Sequence, residues 1–285
     1  MAKSEFVMLS TDLRGREPPK GWFVSTKLDG QRALWDGGVS RRYLSVPWSR
    51  DTVPPTGLWS RYGKVIHAPD WWVERLPKGI CLDGELYLGP QSFQELRSIV
   101  SRKIPDSRWE NVEYHVFDVP SPKSVWNDRE YNGRIVQADC LKYYSLVERE
   151  RTFGDTLQYY KELITLESRI LDPVTAFASL GDWEEGIMLR NPNSVWVPVR
   201  SRNSLKMKKE RVAEGVVVGV TAGKGKYEGM VGALIVRWQG ITFQLSGMTD
   251  AERRKDDWIG SQVTFKYREV TNDGLPKEAR FVAIV

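Results

Sequence analysis

The sequence predicts an α+β protein in two parts, and three observations predict it. Up to about residue 209, short apolar runs bounded by Gly, Pro and Asp alternate with stretches whose apolar residues recur three and four apart. A basic stretch, VRSRNSLKMKKER, then interrupts the pattern. From Ala213 onward come β-like runs with glycine-rich connections and little helical periodicity.

In chain order, GWFVSTKLDG, GKVIHAPDWWV, GICLDGELYLG and VEYHVFDV each read as strands closed by turn residues. Between them, SFQELRSIVSR and the region Asp155 to Leu171 carry helical spacing, so helices packed on sheets are expected. The second part contributes AEGVVVGVTAG, GALIVRW, ITFQLSG, SQVTFKYREVT and LPKEARFVAIV. Five strands in about 75 residues is the size of a small Greek-key β-barrel such as an OB-fold. In MTDAERRKDDWIG, Thr249 or Asp250 is placed to cap a short helix. The expected domains are 1–209 and 210–285.

Composition narrows the chemistry. The 285 residues suit one large domain or two ordinary ones, and 41% hydrophobic with 28% charged residues reads as globular rather than disordered or fibrous. No stretch approaches the roughly 20 apolar residues of a membrane span, and the N-terminal run is too short for a secretory segment. A cytoplasmic, intracellular protein with no membrane partner is the expectation. Cys81 and Cys140 are the only cysteines, which excludes a disulfide framework and a Cys-rich zinc site. His67 and His115 are the only histidines, so attention moves to Lys, Arg, Asp and Glu. The net charge of +5 permits nucleic-acid binding without requiring it. Of twelve tryptophans, Trp35, Trp48, Trp59, Trp71, Trp72 and Trp109 read as core or groove lining before base-stacking platforms.

The segment Lys27-Leu28-Asp29-Gly30-Gln31-Arg32 sets a lysine, a carboxylate and an arginine around a glycine turn. Such a lysine is a nucleophile where partial burial and neighbouring cations favour the neutral amine; it is otherwise a surface turn. Downstream stand Ser60-Arg61-Tyr62-Gly63-Lys64, Asp83-Gly84-Glu85-Leu86, Val116-Phe117-Asp118, Glu185-Gly186-Ile187-Met188-Leu189-Arg190 and Leu205-Lys206-Met207-Lys208. In that order they resemble the motif series of the covalent nucleotidyltransferases, the superfamily of ATP-dependent DNA ligases, RNA ligases and mRNA capping enzymes. The stretch Gly223-Lys224-Gly225-Lys226-Tyr227-Glu228-Gly229-Met230-Val231-Gly232-Ala233-Leu234 is similar to the opening of the ligase OB domain.

The resemblance implies a nucleotidyltransferase (adenylation) domain of antiparallel sheets with packed helices, followed by the OB domain, as in compact bacterial and phage ligases. It implies that Lys27 attacks the α-phosphorus of ATP, that AMP passes to a 5′-phosphate at a nick, and that a 3′-hydroxyl displaces it. Asp29 and Thr26 flank the nucleophile, Thr26 at the nucleotide. Arg32 and Arg61 offer planar forks to phosphate oxygens, with surface salt bridges as the alternative. Glu85 is implied at the ribose or a metal-bound water and Glu185 at Mg²⁺ or Mn²⁺, which prefers a few carboxylates plus substrate phosphates. Phe117 stacks on adenine or simply packs the core. Lys206 and Lys208, two residues apart on a strand, face one side and neutralise the α-phosphate, or form a solvated basic face. Lys277 and Arg280 match, in part, the basic motif that orients leaving pyrophosphate.

With only 26 residues before Lys27, no additional N-terminal DNA-binding domain is expected. Arg200, Arg202 and Lys209, with Lys224 and Lys226 as a second patch, are the candidates for contacts to DNA phosphates, and Arg41-Arg42 and Arg253-Arg254-Lys255 are further basic runs. The expected partner is nicked double-stranded DNA, bound by a monomer. An RNA ligase or mRNA guanylyltransferase is the competing enzyme, and a non-catalytic OB-containing DNA-binding protein the competing non-enzyme.

Overall fold

The computed structural model describes residues 6–42, 54–121, 130–131, 134–135, 152–271 and 273–285. The chain divides into two compact units, Met1–Met207 and Lys208–Val285.

Two sheets build the N-terminal unit. The first has the order β1-β11-β10-β2-β9, with β1 Leu9–Asp12, β2 Phe23–Thr26, β9 Arg169–Ile170, β10 Gly186–Arg190 and β11 Arg200–Lys208. β2 pairs antiparallel with β10 and β9, but β1 and β11 pair parallel, a departure from the all-antiparallel expectation. The second sheet has the order β4-β3-β5-β6, with β3 Gln31–Trp35, β4 Leu58–Ser60, β5 Cys81–Tyr87 and β6 Glu113–Ser121, all antiparallel. Two short strands, β7 Glu130–Tyr131 and β8 Arg134–Ile135, pair with each other.

Among the described residues, few helices cover these sheets: α1 Asp70–Val73, α2 Phe93–Val100, α3 Phe153–Tyr159 and α4 Pro173–Ala178. α2 follows the predicted SFQELRSIVSR pattern, burying Leu96, Ile99 and Val100 at spacings of three and four. It packs into a core with Trp35, Leu82, Leu86, Trp72 and Trp109, the last two edge to face at 5.0 Å. Trp59 is also buried, while Trp71 is exposed; Trp48 lies outside the described residues.

Two predicted elements differ. GKVIHAPDWWV is no strand: Val65 makes one bridge to Trp59, and Pro69 then leads into α1. The helix expected over Asp155 to Leu171 ends at Tyr159, although Thr152 and Asp155 start it with a reciprocal capping box. The chain beyond turns away because Thr165 and Leu166 donate backbone N–H groups to Val116 O (3.0 and 2.9 Å) and Thr165 Oγ1 accepts from Val116 N–H. Those tertiary bonds to the edge of β6 outweigh helical periodicity.

The C-terminal unit carries the five predicted strands: β12 Arg211–Ala222, β13 Val231–Trp238, β14 Ile241–Leu245, β15 Gln262–Tyr267 and β16 Arg280–Ile284. Their order is β14-β13-β12-β15-β16, around a core of Val217, Leu234, Val236, Trp258, Val263 and Phe265. The expected barrel is not closed by a ladder. Among the described residues, the edges meet at a single parallel bridge, Ser246 to Arg280, where Phe281 N–H donates to Ser246 O at 2.9 Å. The predicted short helix is a 3₁₀ turn, Glu252–Arg254, held by Thr249 Oγ1, which accepts from Glu252 N–H, and the Glu252 carboxylate, which accepts from Thr249 N–H.

Candidate active site

β2 and β10 set the lysine turn. Thr26 ends β2 in register with Ile187, and Lys27 N–H then donates to Gly186 O at 2.9 Å. This brings Lys27 beside Glu185, 158 residues away in sequence, and its Nζ forms a short contact with the Glu185 carboxylate. Both side chains are 19% exposed, reachable by a reactant yet weakly screened by water. The turn closes tightly onto β5: a Cβ on Gly30 would stand 2.2 Å from Leu86 O, so only glycine fits there.

β3 begins directly after this turn and registers Arg32 opposite Glu85. The Arg32 guanidinium donates from Nε and Nη2 to the two Asp83 oxygens at 2.5 and 2.6 Å, and from Nη2 to Met8 O at 3.1 Å. Its plane lies 4.5 Å from the centre of the Phe117 ring. Asp83 is fully buried and receives a further bond from Trp196 Nε1 at 2.8 Å. A carboxylate so far from water persists as a charge only with such donors.

Glu85 behaves differently. Burial pushes its carboxyl up to about 7; Lys27 and Arg32 oppose the rise, while Asp83 and Glu185 add to it. Lys27, Arg32, Glu85 and Glu185 thus form one electrostatic group in which this acid is poised near neutrality.

A third ion pair ties the two sheets together. Arg190, at the end of β10, donates through Nη2 to the buried Asp118 on β6, whose other oxygen accepts from Val119 N–H at 2.9 Å. The Arg190 guanidinium also lies 4.4 Å from the centre of the Phe153 ring. Burial raises the Asp118 carboxyl and Arg190 pulls it back. Phe117 adjoins one partner of this pair, and Glu185 immediately precedes the strand that carries the other.

Other predicted site residues stand elsewhere. Asp29 is half-buried, and its charge helps burial and Glu113 to raise the Tyr87 hydroxyl. Lys206 registers with Asp12 across the parallel ladder, its Nζ 3.6 Å from Oδ1. Lys208 lies 3.8 Å from Glu278 within the C-terminal unit. Arg61 is exposed and stacks on Tyr62. Arg200 donates to Ser10 O at 2.7 Å, Arg202 is exposed, and Lys209 is half-buried. Lys277 pairs with Glu269, and Arg280 donates to Ser246 Oγ at 2.9 Å. Lys224 and Lys226 are exposed between β12 and β13. Two of the basic runs prove structural in part: Arg41 pairs with Asp70 at 2.6 Å, and Arg253 is buried.

Asp83, Trp196 and Arg190 received no role from sequence. The available signal was a charge within an apolar β run, as in CLDGELYL and GIMLR, where burial demands a partner. Among the described residues, no group of three or more His, Cys, Asp or Glu side chains gathers to hold a metal on protein ligands alone. Nor is any described helix long and apolar enough to cross a membrane.

Comparisons with known proteins bear on the family and the fold. Residues 8–208 match the family described as ATP dependent DNA ligase domain, and residues 222–284 match the DNA ligase OB-like domain. A DNA ligase of Haemophilus influenzae is 28% identical over 98% of this chain and 92% of its own length. A solved Lig E DNA ligase, described as binding DNA with a minimal scaffold, superposes with a TM-score of 0.74 at 28% identity, covering 98% of both chains. The Pmar-Lig structure shares the fold, with a TM-score of 0.69 at 20% identity over 99% of this chain and 68% of that one. A nucleotidyltransferase unit followed by an OB unit, matched along most of its length, places the chain in the family of ATP-dependent DNA ligases.

Proposed function

We propose that the chain seals nicks in duplex DNA as a monomer, with Lys27 as the residue that carries AMP. The contact of Lys27 Nζ with Glu185 is the observation that carries the reading. It fixes the amine within electrostatic reach of Glu85, which Arg32 reaches as well, and Arg32 in turn lies against Phe117, a ring suited to a nucleotide base. In the first step a bond forms from Nζ to the α-phosphorus of ATP, and the bond to pyrophosphate breaks. The attacking species is the neutral amine. The AMP then passes to the 5′-phosphate of the nick, and the 3′-hydroxyl displaces it.

Phe117 offers a ring for adenine, with Arg32 lying against that ring. Arg32 is held in a fixed plane by Asp83, so its remaining donors meet phosphate oxygens without reorganisation. Lys206 and Lys208 supply charge toward the phosphates, and Lys277 and Arg280 toward leaving pyrophosphate. Arg200, Arg202, Lys209, Lys224 and Lys226 take DNA phosphates. Glu85 and Glu185 suit Mg²⁺ or Mn²⁺, since two carboxylates that raise each other's affinity for a cation, completed by substrate phosphates, are the donor set such ions take. A bound ion there supplies neutralisation of phosphate charge.

A sealing assay tests the reading. A duplex with one 5′-phosphorylated nick is incubated with ATP, GTP or NAD⁺ and a divalent ion, beside the same nick in RNA. Joining of nicked DNA with ATP is expected. Preferential joining of RNA, or use of GTP in place of ATP, contradicts it.

A further inference from the structure

The loop between β12 and β13, Gly223 to Met230, carries the exposed Lys224 and Lys226. It is tightly wound: Gly223 N–H donates to Met230 O at 2.9 Å, Glu228 N–H to Gly225 O at 3.0 Å and Met230 N–H to Tyr227 O at 3.0 Å. A Cβ on Gly223 would stand 2.0 Å from Tyr227 O, so the two ends close without room for a side chain. Such a loop needs an external anchor if it is to hold its charges in place, because its own bonds are short-range and exposed.

Arg253 is that anchor. It comes from the 3₁₀ turn Glu252–Arg254, more than twenty residues later in the chain, and is 6% exposed. Its Nη1 donates to the carbonyls of Val231 and Gly232, at 2.7 and 2.5 Å, where the loop re-enters β13. The guanidinium carbon also stands 4.2 Å from the centre of the Tyr227 ring. Lys226 Nζ lies 4.5 Å from the centre of the same ring. One aromatic ring thus meets a buried cation and an exposed one, and links the exposed one to the body of the unit.

We propose that Arg253 and Tyr227 are positioning residues for DNA binding, which preset Lys226, and Lys224 beside it, toward the phosphate backbone. The inference rests on the reading that these lysines contact DNA. Two facts favour it over a purely structural role. The buried arginine spends its hydrogen bonds on the loop's exit, at the carbonyls of Val231 and Gly232. The ring and its hydroxyl also hold Lys226, a long exposed side chain that Asp250 attracts as well, so that its ordering precedes contact with DNA.

Nicked-duplex affinity of the full chain, read by fluorescence anisotropy across a salt series, tests this with four variants. Lys224→Ala combined with Lys226→Ala comes first, and is expected to weaken binding and flatten the salt dependence by about two phosphate contacts. Tyr227→Leu is expected to weaken binding about fivefold, the scale of one lost cation–π contact, and Tyr227→Phe, which keeps the ring but loses the hydroxyl that bonds Lys226, to recover part of it. Arg253→Met serves as the second route to the same loss, and melting temperature is recorded for each variant. An unchanged affinity in the double lysine variant overturns the underlying reading of the loop. Weakened binding in that variant, with Tyr227→Leu and Arg253→Met binding normally, overturns the positioning role alone. A lower melting temperature without loss of affinity does the same, because a merely structural pair changes stability and leaves binding intact.

Discussion

The active-site cations and the loop between β12 and β13 hold their positive charge in opposite ways. In the N-terminal unit Lys27, Arg32 and Arg190 each meet a carboxylate, with side-chain exposures of only 19, 19 and 11%. In the C-terminal unit Lys224 and Lys226 stand exposed on a short loop, and Lys226 shares the Tyr227 ring with Arg253 and is attracted by Asp250. Phosphoryl transfer accounts for the first arrangement, since fixed charges in poorly screened surroundings stabilise developing charge without reorganising. Gripping a phosphate backbone of any sequence accounts for the second, where exposed cations exchange with counterions.

That contrast breaks most sharply at Arg190. Replacing it with methionine leaves Asp118 buried with a single backbone donor, and loss of one partner of a buried pair costs about 3–5 kcal/mol. Denaturant unfolding checks the value. The variant's Asp118 carboxyl rises further once its cation is gone, so folding takes up a proton, and the deficit is larger at pH 8 than at pH 5. Adding Asp118→Asn recovers much of the loss, because no charge then remains buried.

Glu85 gives the next largest effect. Its folded pKa of about 7 lies above the ordinary carboxyl value, so the folded form binds the proton more tightly than the unfolded chain. Stability from this group is complete below the ordinary value and declines as pH rises toward 7. Above pH 7, with neither nucleotide nor metal present, Glu85→Gln therefore stabilises the protein, by at most about 3 kcal/mol. Thermal melts at pH 5 and pH 8 check the sign: the variant's advantage appears only at the higher pH. The same variant lowers adenylation, separating what the group does for stability from what it does for the reaction.

Much of this was legible in the sequence, and the reason differs by element. Strands with clean alternation, such as GALIVRW, and α2 with its spacing of three and four appear where periodicity puts them. The segment after Tyr159 has equally good helical spacing, yet its backbone bonds to Val116 decide its course, and no local pattern encodes those bonds. Lys27, Glu85, Phe117 and Glu185 stood out through their ordered motifs, and the structure brings Lys27 and Glu185 into contact. The supporting bonds were not legible. Asp83 to Trp196 and Asp118 to Arg190 link residues 113 and 72 positions apart, and one sequence carries no record of which buried charge meets which donor. Arg253 shows the reverse error: a basic run that reads as solvated surface contains one residue turned inward, holding a loop.

The account depends most on Lys27. The full chain is incubated with ATP and Mg²⁺ without DNA, digested, and the position of AMP located by mass spectrometry. The prediction is a single acid-labile AMP on Lys27, absent from Lys27→Ala. AMP on a different residue, or an adduct that persists in Lys27→Ala, contradicts it.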